Sequence, residues 1–176
     1  MNFKGIIKGL HHVTATVNDA QEDYDFYTKT LGMRLVKETV NFDNEKVYHF
    51  YYANKKGSPS TVFTTFPYKG QDVRVGTIGT GQVTHTAFSV PAASIDFWKN
   101  RLTAHGVEVV ESTLFDRPTL DFKDPAGLLL QIVGFEGDDR EPLWTTEEVG
   151  ESAAIRGIAY VQMLVIDINE TAEFMK

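Results

Sequence analysis

One stretch of this chain occurs twice. GLHHVTATVNDAQEDYDFY, beginning at Gly9, returns at Gly157 as GIAYVQMLVIDINETAEFM, and Gly9/Gly157, Val13/Val161, Val17/Val165, Asp19/Asp167, Glu22/Glu170 and Phe26/Phe174 match without a gap. A fainter echo, VTHTAFSVPAASIDFW from Val83, puts His85 in the place of His12 and Val90 in that of Val17. Repetition of this kind means a chain assembled from like supersecondary units, each with an apolar face that a neighbour has to cover.

Each unit opens the same way. His12, Thr14 and Thr16 alternate with Val13, Ala15 and Val17, which predicts a strand with one apolar face. A helix follows with Asp19 as N-cap and Tyr24, Tyr27 and Leu31 on one side, and Gly32 ends it. The β-rich runs Arg34 to Thr39, Lys46 to Ala53 and Thr61 to Phe66 are separated by Asn/Asp and Gly/Ser/Pro turns, so the unit is βαβββ. The second unit repeats the order with Thr84 to Val90, a helix from Ile95 to Leu102 stopped near Gly106, then Glu108 to Ser112, Thr119 to Lys123 and Leu128 to Phe135. The fold class predicted is α+β, with a first module over 1–67, a glycine-rich linker over 68–82, a second module over 83–136 and an acidic connector over 137–154. At 155–176 a third module begins, with strand Ile158 to Ile166, and stops. Two readings follow: the sequence is a fragment of a longer chain, which is favoured, or the last strand docks elsewhere.

Composition narrows the function classes. Hydrophobic residues at 42% and charged residues at 23% describe an ordinary globular protein. A net charge of −7 without a Lys/Arg block argues against nucleic acid and membrane surfaces as partners. Cysteine is absent, so disulfides, thiolate metal sites and cysteine nucleophiles are excluded. The N-terminus, Met1 to Leu10, has neither the apolar run nor the cleavage site of a leader, and no stretch is long enough to span a bilayer, so the chain is expected in the cytoplasm.

Any metal must therefore sit on histidine, carboxylate or amide oxygen. His12 and His85 occupy equivalent places on the opening strands, and their same-face neighbours are small or hydroxylic (Thr14 and Thr16; Ala87 and Ser89). Two imidazoles facing one hydrated cavity predict a shared divalent metal; the alternative for each is a buried histidine with a hydrogen bond. In DPAGLLLQIV, Gln131 is the one polar residue of an apolar strand. A buried amide needs a partner, so Gln131 is either bonded to a neighbour or a neutral oxygen ligand. His11, adjacent in the strand to His12, is expected on the other face, near the site or in solvent. His105 reads as a helix-end surface group, and Gly76, Gly79 and Gly81 as linker. Tyr160 stands where His12 would in the third unit.

The motifs HV-x(4)-V, THTAFSV and DP-x-G-x(3)-Q resemble the vicinal-oxygen-chelate, or glyoxalase/bleomycin-resistance/extradiol-dioxygenase, superfamily. GLHHVTATV, YDFYTKTLGMRLVKETVNFD, VYHFYY, GSPSTVFTTFP and GTGQVTHTAFSVP are similar to its two-domain, hydroquinone-specific ring-cleaving dioxygenases, over nearly the whole chain. The resemblance implies paired βαβββ modules forming a half-open barrel around a metal, Fe(II) first and Mn(II), Zn(II) or Ni(II) otherwise, on His12, His85 and position 131. The dioxygenase pattern has glutamate where this chain has Gln131, and a tyrosine where it has Asp121. His49, in VYHFYY, lies where such enzymes place an acid/base histidine, set to receive a proton from a bound diol; packing among aromatics is its other reading. The implied activity is ring cleavage of a hydroquinone or catechol. Glyoxalase-like lyase or isomerase chemistry, which suits Gln131 better, and aromatic binding without turnover are the alternatives. An exposed third-unit strand would offer an edge for a homodimer.

Overall fold

The computed structural model describes residues 8–72 and 76–175. The N-terminal heptapeptide and residues 73–75 of the expected linker lie outside the described residues. Strand β1 (His12–Val17) leads into helix α1 (Ala20–Asp25), whose cap is the predicted Asp19, accepting from the amides of Gln21 and Glu22. The helix widens into a π-turn over Phe26–Thr30, and this changes which side chains face inward. Tyr27 and Leu31 are buried as expected, but Tyr24 is exposed and Phe26 and Asp23 are buried in its stead.

Strands β2 (Leu35–Val40), β3 (Tyr48–Tyr52) and β4 (Val62–Pro67) complete a four-stranded sheet in the order β1-β4-β3-β2, with β1 parallel to β4 and the other pairs antiparallel. The second unit follows the same plan: β5 (Gln82–Pro91), helix α2 (Ile95–Ala104), β6 (Val110–Leu114), β7 (Arg117–Lys123) and β8 (Leu129–Phe135). Its sheet has five strands, β6-β7-β8-β5-β9, because β9 (Gly157–Leu164) lies antiparallel along the far side of β5. The last strand of the chain thus docks on the second unit, and helix α3 (Ile168–Phe174) follows it with Asp167 as cap. The two matched glycines share a backbone conformation, φ 142° at Gly9 and 147° at Gly157. At Gly157 a side chain would also meet Ser60 O at 2.7 Å, and the next amide, that of Ile158, donates to the same carbonyl.

The architecture is α+β, two unclosed sheets of βαβββ type. Each sheet buries its helix-bearing side in a common core. Phe63 of β4 meets Phe88 of β5 edge to face at 5.6 Å, and Phe26 reaches Phe122 of β7. Tyr27 Oη donates across the same boundary to Asp124. Trp98 of α2 is fully buried and its indole N–H donates to Ala153 O at 2.8 Å, so the 137–154 segment is tied into the core at this point. Side chains of this size each contribute about 2–3 kcal/mol by burial. The other face of each sheet, the one without a helix, is turned away from this core. Among the described residues no helix is long and apolar enough to cross a membrane.

Candidate functional site

The helix-free face of the first sheet gathers most of the polar chemistry. The alternation of β1 puts His12, Thr14 and Thr16 on it, and the register extends the set through Thr64 and Phe66 to His49 and Tyr51, then to Lys37 and Thr39. Thr64 Oγ1 donates to Thr14 Oγ1 at 2.8 Å. His49 lies against the ring of Phe66, centroids 3.9 Å apart, and its Nδ1 is 3.0 Å from Tyr51 Oη. Its Nε2 is buried without a hydrogen-bond partner. Burial, then the charge of Lys37, then that of His12, hold the His49 pKa below the usual histidine value, so the ring is neutral at pH 7.

His12 sits on the outer strand of this sheet, since β1 pairs with β4 alone. The free edge borders a cavity of about 700 Å³ lined by His12, Thr14 and Thr16 and, from the second sheet, by Thr84, Thr86 and Val161. The ring of His11 does not turn to the other face: its Nδ1 is 3.1 Å from that of His12, with the rings edge to face.

His85 and Gln131 belong to the second sheet, on the face that bears no helix, and line up with Ala87, Leu129, Tyr160 and Gln162. His85 borders a separate cavity of about 530 Å³ with Asp121, Lys123 and Leu129. His12 and His85, expected as ligands of one ion together with Gln131, line different cavities. One of the two histidines lies on the helix-free face of each sheet. Nor is the amide of Gln131 open. Its Nε2 donates to Asp121 Oδ1 at 2.6 Å, and its Oε1 accepts from Tyr160 Oη at 3.2 Å and from Gln162 Nε2 at 2.9 Å. Of the two readings of Gln131, the hydrogen-bonded amide is the one observed. Asp121, which also accepts from Ser112, is its principal partner.

As they stand, the three residues supply two imidazoles on different cavities and an amide already held by hydrogen bonds. Among the described residues no three of His, Cys, Asp and Glu are clustered to hold an ion. His12, with His11 beside it, offers imidazole nitrogens at an unpaired edge, and the remainder of a coordination shell would have to come from whatever pairs with that edge.

Sequence reading missed Tyr51 and Lys37. The signal was present as the i, i+2 spacing of His49 and Tyr51 on a strand, but Lys37 joins them through a cross-strand register that no local pattern encodes. His105 caps the end of α2, where its ring meets Thr30 Oγ1 at 3.4 Å.

A family model described as the Glyoxalase/Bleomycin resistance protein/Dioxygenase superfamily matches residues 9–132. MhqE of Bacillus subtilis, whose name assigns it provisionally to the ring-cleaving dioxygenases, is 42% identical over 168 residues, which are 96% of this chain and 54% of that protein. The chlorohydroquinone/hydroquinone 1,2-dioxygenase of Sphingobium indicum is 35% identical over 154 residues, 86% of this chain and 48% of the relative. A B. subtilis crystal structure with a provisional dioxygenase designation superposes with a TM-score of 0.88 at 41% identity, covering 96% of this chain and 53% of that one. The chain spans about half the length of the curated relatives it matches.

Proposed function

The chain belongs to the glyoxalase/bleomycin resistance protein/dioxygenase superfamily, and from that membership we propose that it serves ring cleavage of a hydroquinone or catechol with Fe(II) as the metal. The observation that carries this reading is the first sheet's helix-free face, where His12 and His49 share one surface and His12 stands beside a cavity large enough for an aromatic ring. The names of the relatives supply the substrate class.

The proposed ligand set is revised to fit the fold. His12 supplies one imidazole, and further donors come from a strand laid on the free edge of β1, in the way that β9 lies on β5. Fe(II) held there would supply the Lewis-acid and redox chemistry that a diol and O2 require. The chain's own residues do the rest. Phe66 and Tyr51 wall the ring, the Thr14 and Thr64 hydroxyls keep the floor polar, and His49 Nε2 meets a ring oxygen. The glyoxalase-like alternative rested on Gln131 as a neutral ligand, and an amide held by three partners removes that support.

The test uses the full-length protein with Fe(II), measuring O2 uptake on hydroquinone together with bound iron. His12→Ala lowers both, activity by at least about 100-fold, while His85→Ala leaves both nearly unchanged. Loss of iron in His85→Ala with retention in His12→Ala would sink the revised site.

A further inference from the structure

We propose that the first sheet's helix-free face carries a subsite for an anionic oxygen on an aromatic ring, formed by the Nε2–H of His49 and the ammonium of Lys37, with Tyr51 as the positioning residue. The inference rests on the aromatic-ligand reading above but not on turnover.

Three observations carry it. The first is the Tyr51–His49 hydrogen bond. Tyr51 Oη lies 3.0 Å from Nδ1 and has no other hydrogen-bond partner among the described residues; we take the phenol as donor in this pair. A neutral imidazole that accepts at Nδ1 carries its own proton at Nε2. That is the buried nitrogen left without a partner, and it is a donor. His49 in this state cannot take a proton from a ligand; it gives a hydrogen bond to an oxygen that has already lost one. The acid/base histidine expected from the sequence therefore acts first as an anion-binding donor.

The second observation is charge. In a chain of net charge −7, the strands place Lys37, His12 and His49 on this face and no carboxylate among them. Lys37 makes no ion pair among the described residues; its Nζ stands 5.1 Å from the centre of the Tyr51 ring. A cationic group and an orphan N–H on one side, both without a counter-charge, favour an anion. The same positive neighbours, after burial, keep His49 neutral, which preserves the N–H needed.

The third is shape. Phe66 is packed on the His49 ring at 3.9 Å and Tyr51 at 4.1 Å, so the ring that carries the donor is flanked by aromatic surfaces. A ligand delivering its anionic oxygen there meets apolar rings on the way.

The anionic oxygen can be a phenolate or a ring carboxylate, and calorimetric binding separates them. The full-length protein, kept metal-free with chelator and under nitrogen, is titrated with 4-nitrophenol on either side of that phenol's own pKa, with its methyl ether 4-nitroanisole, and with benzoate and benzamide. The 4-nitrophenolate is expected to bind at least about tenfold more tightly than the ether. The preference disappears in Lys37→Met, persists in Lys37→Arg and weakens in Tyr51→Phe, where nothing fixes the tautomer. Preference for benzoate over benzamide of the same size would assign a carboxylate as the ligand and uphold the subsite. Equal binding of ionised and neutral probes in the wild type, or a preference unchanged in Lys37→Met, overturns it. A protein that binds phenolate but cleaves no ring refutes the proposed reaction and leaves the subsite standing.

Discussion

Asp23 and Asp124 face each other electrostatically across the boundary between the two units, each gripped by a tyrosine from inside the core. Tyr52 Oη donates to Asp23 Oδ2 at 2.7 Å, and Tyr27 Oη donates to Asp124 Oδ2 at 3.1 Å. Thr65 adds a second bond to Asp23 Oδ2, while Oδ1 is buried and unpaired. Burial is the main cause that pushes the Asp23 pKa up to about 6; the Tyr52 and Thr65 hydroxyls oppose it and the Asp124 charge adds to it. The folded state then holds a proton that the unfolded chain releases near 3.8. The contribution to stability is complete below that lower value and is lost as pH rises through the folded value. Each tenfold difference in proton affinity between the folded and unfolded chain is worth roughly 1.4 kcal/mol, so the loss approaches about 3 kcal/mol. Urea melts should show stability falling between pH 4 and pH 7, and Asp23→Asn, which cannot ionise, should flatten that slope. An unchanged slope in the variant would place the titration elsewhere.

Gln131→Glu tests the second sheet's polar network. The substitution sets a carboxylate against Asp121, whose Oδ1 is 2.6 Å from the present amide nitrogen. It removes a donor and adds a buried like charge, and losses of about 1–3 kcal/mol follow when a buried group is left unsatisfied. The variant should be destabilised at pH 7 and recover at pH 5, as one of the two acids takes up a proton. Its iron content should match the wild type, because the amide at 131 is engaged by Asp121, Tyr160 and Gln162. A gain in bound iron would restore Gln131 to the metal centre.

Much of the fold could be read in advance because its signals are local. The alternation in HHVTATV, the Asp19 cap and the turn residues around Gly32 and Gly57 operate within a few positions of each other. The strand expected over Thr61 to Phe66 is observed as Val62–Pro67, and that over Ile158 to Ile166 as Gly157–Leu164. The site was less legible. Repeat equivalence correctly made His12 and His85 counterparts, but equivalence says nothing about whether two counterpart faces meet. His12 and His85 line different cavities, while Phe63, Phe88, Phe26 and Phe122 join the sheets through their helix-bearing sides. The π-turn at Phe26–Thr30 likewise escaped a reading based on a 3.6 period, and this is why Tyr24 was placed inside and Asp23 was overlooked.

Gly32 meets two demands at once, and they can be separated. Its φ of 64° is left-handed, and a Cβ there would lie 2.9 Å from Val149 Cγ2. Gly32→Ala incurs about 1–2 kcal/mol for the backbone and a further amount for the clash. Val149→Ala in the same chain removes the Cγ2 contact but leaves Val149 Cβ at 3.2 Å and the backbone strain, so a double-mutant cycle by chemical denaturation should show favourable coupling with a residual loss at or somewhat above the backbone figure. Additive losses would mean that the Val149 side chain moves aside freely.

Arg101 offers a contrast between buried and exposed charge. Its Nε donates to Thr30 O at 2.8 Å and its Nη2 to Lys29 O, two carbonyls at the end of the π-turn that the helix itself leaves unpaired. The same Nη2 pairs with Glu148 at 2.9 Å, but the Glu148 side chain is 69% exposed and that of Arg101 only 9%. An ion pair with one partner in water contributes between zero and about 1 kcal/mol, whereas a charged hydrogen bond to a part-buried carbonyl, here Thr30 O, contributes about 1.5–3 kcal/mol; the bond to Lys29 O is exposed and adds less. Glu148→Ala should therefore leave the melting temperature almost unmoved, while Arg101→Met, which keeps most of the packed stem, should lower stability by about 2–3 kcal/mol. The loss should persist in about 0.5 M salt, where a surface ion pair is screened. A salt-sensitive loss, or equal effects of the two substitutions, would assign the role to the ion pair. The backbone carbonyls are favoured because they connect α2 to the turn that carries Tyr27 and Phe26, and those rings join the two sheets.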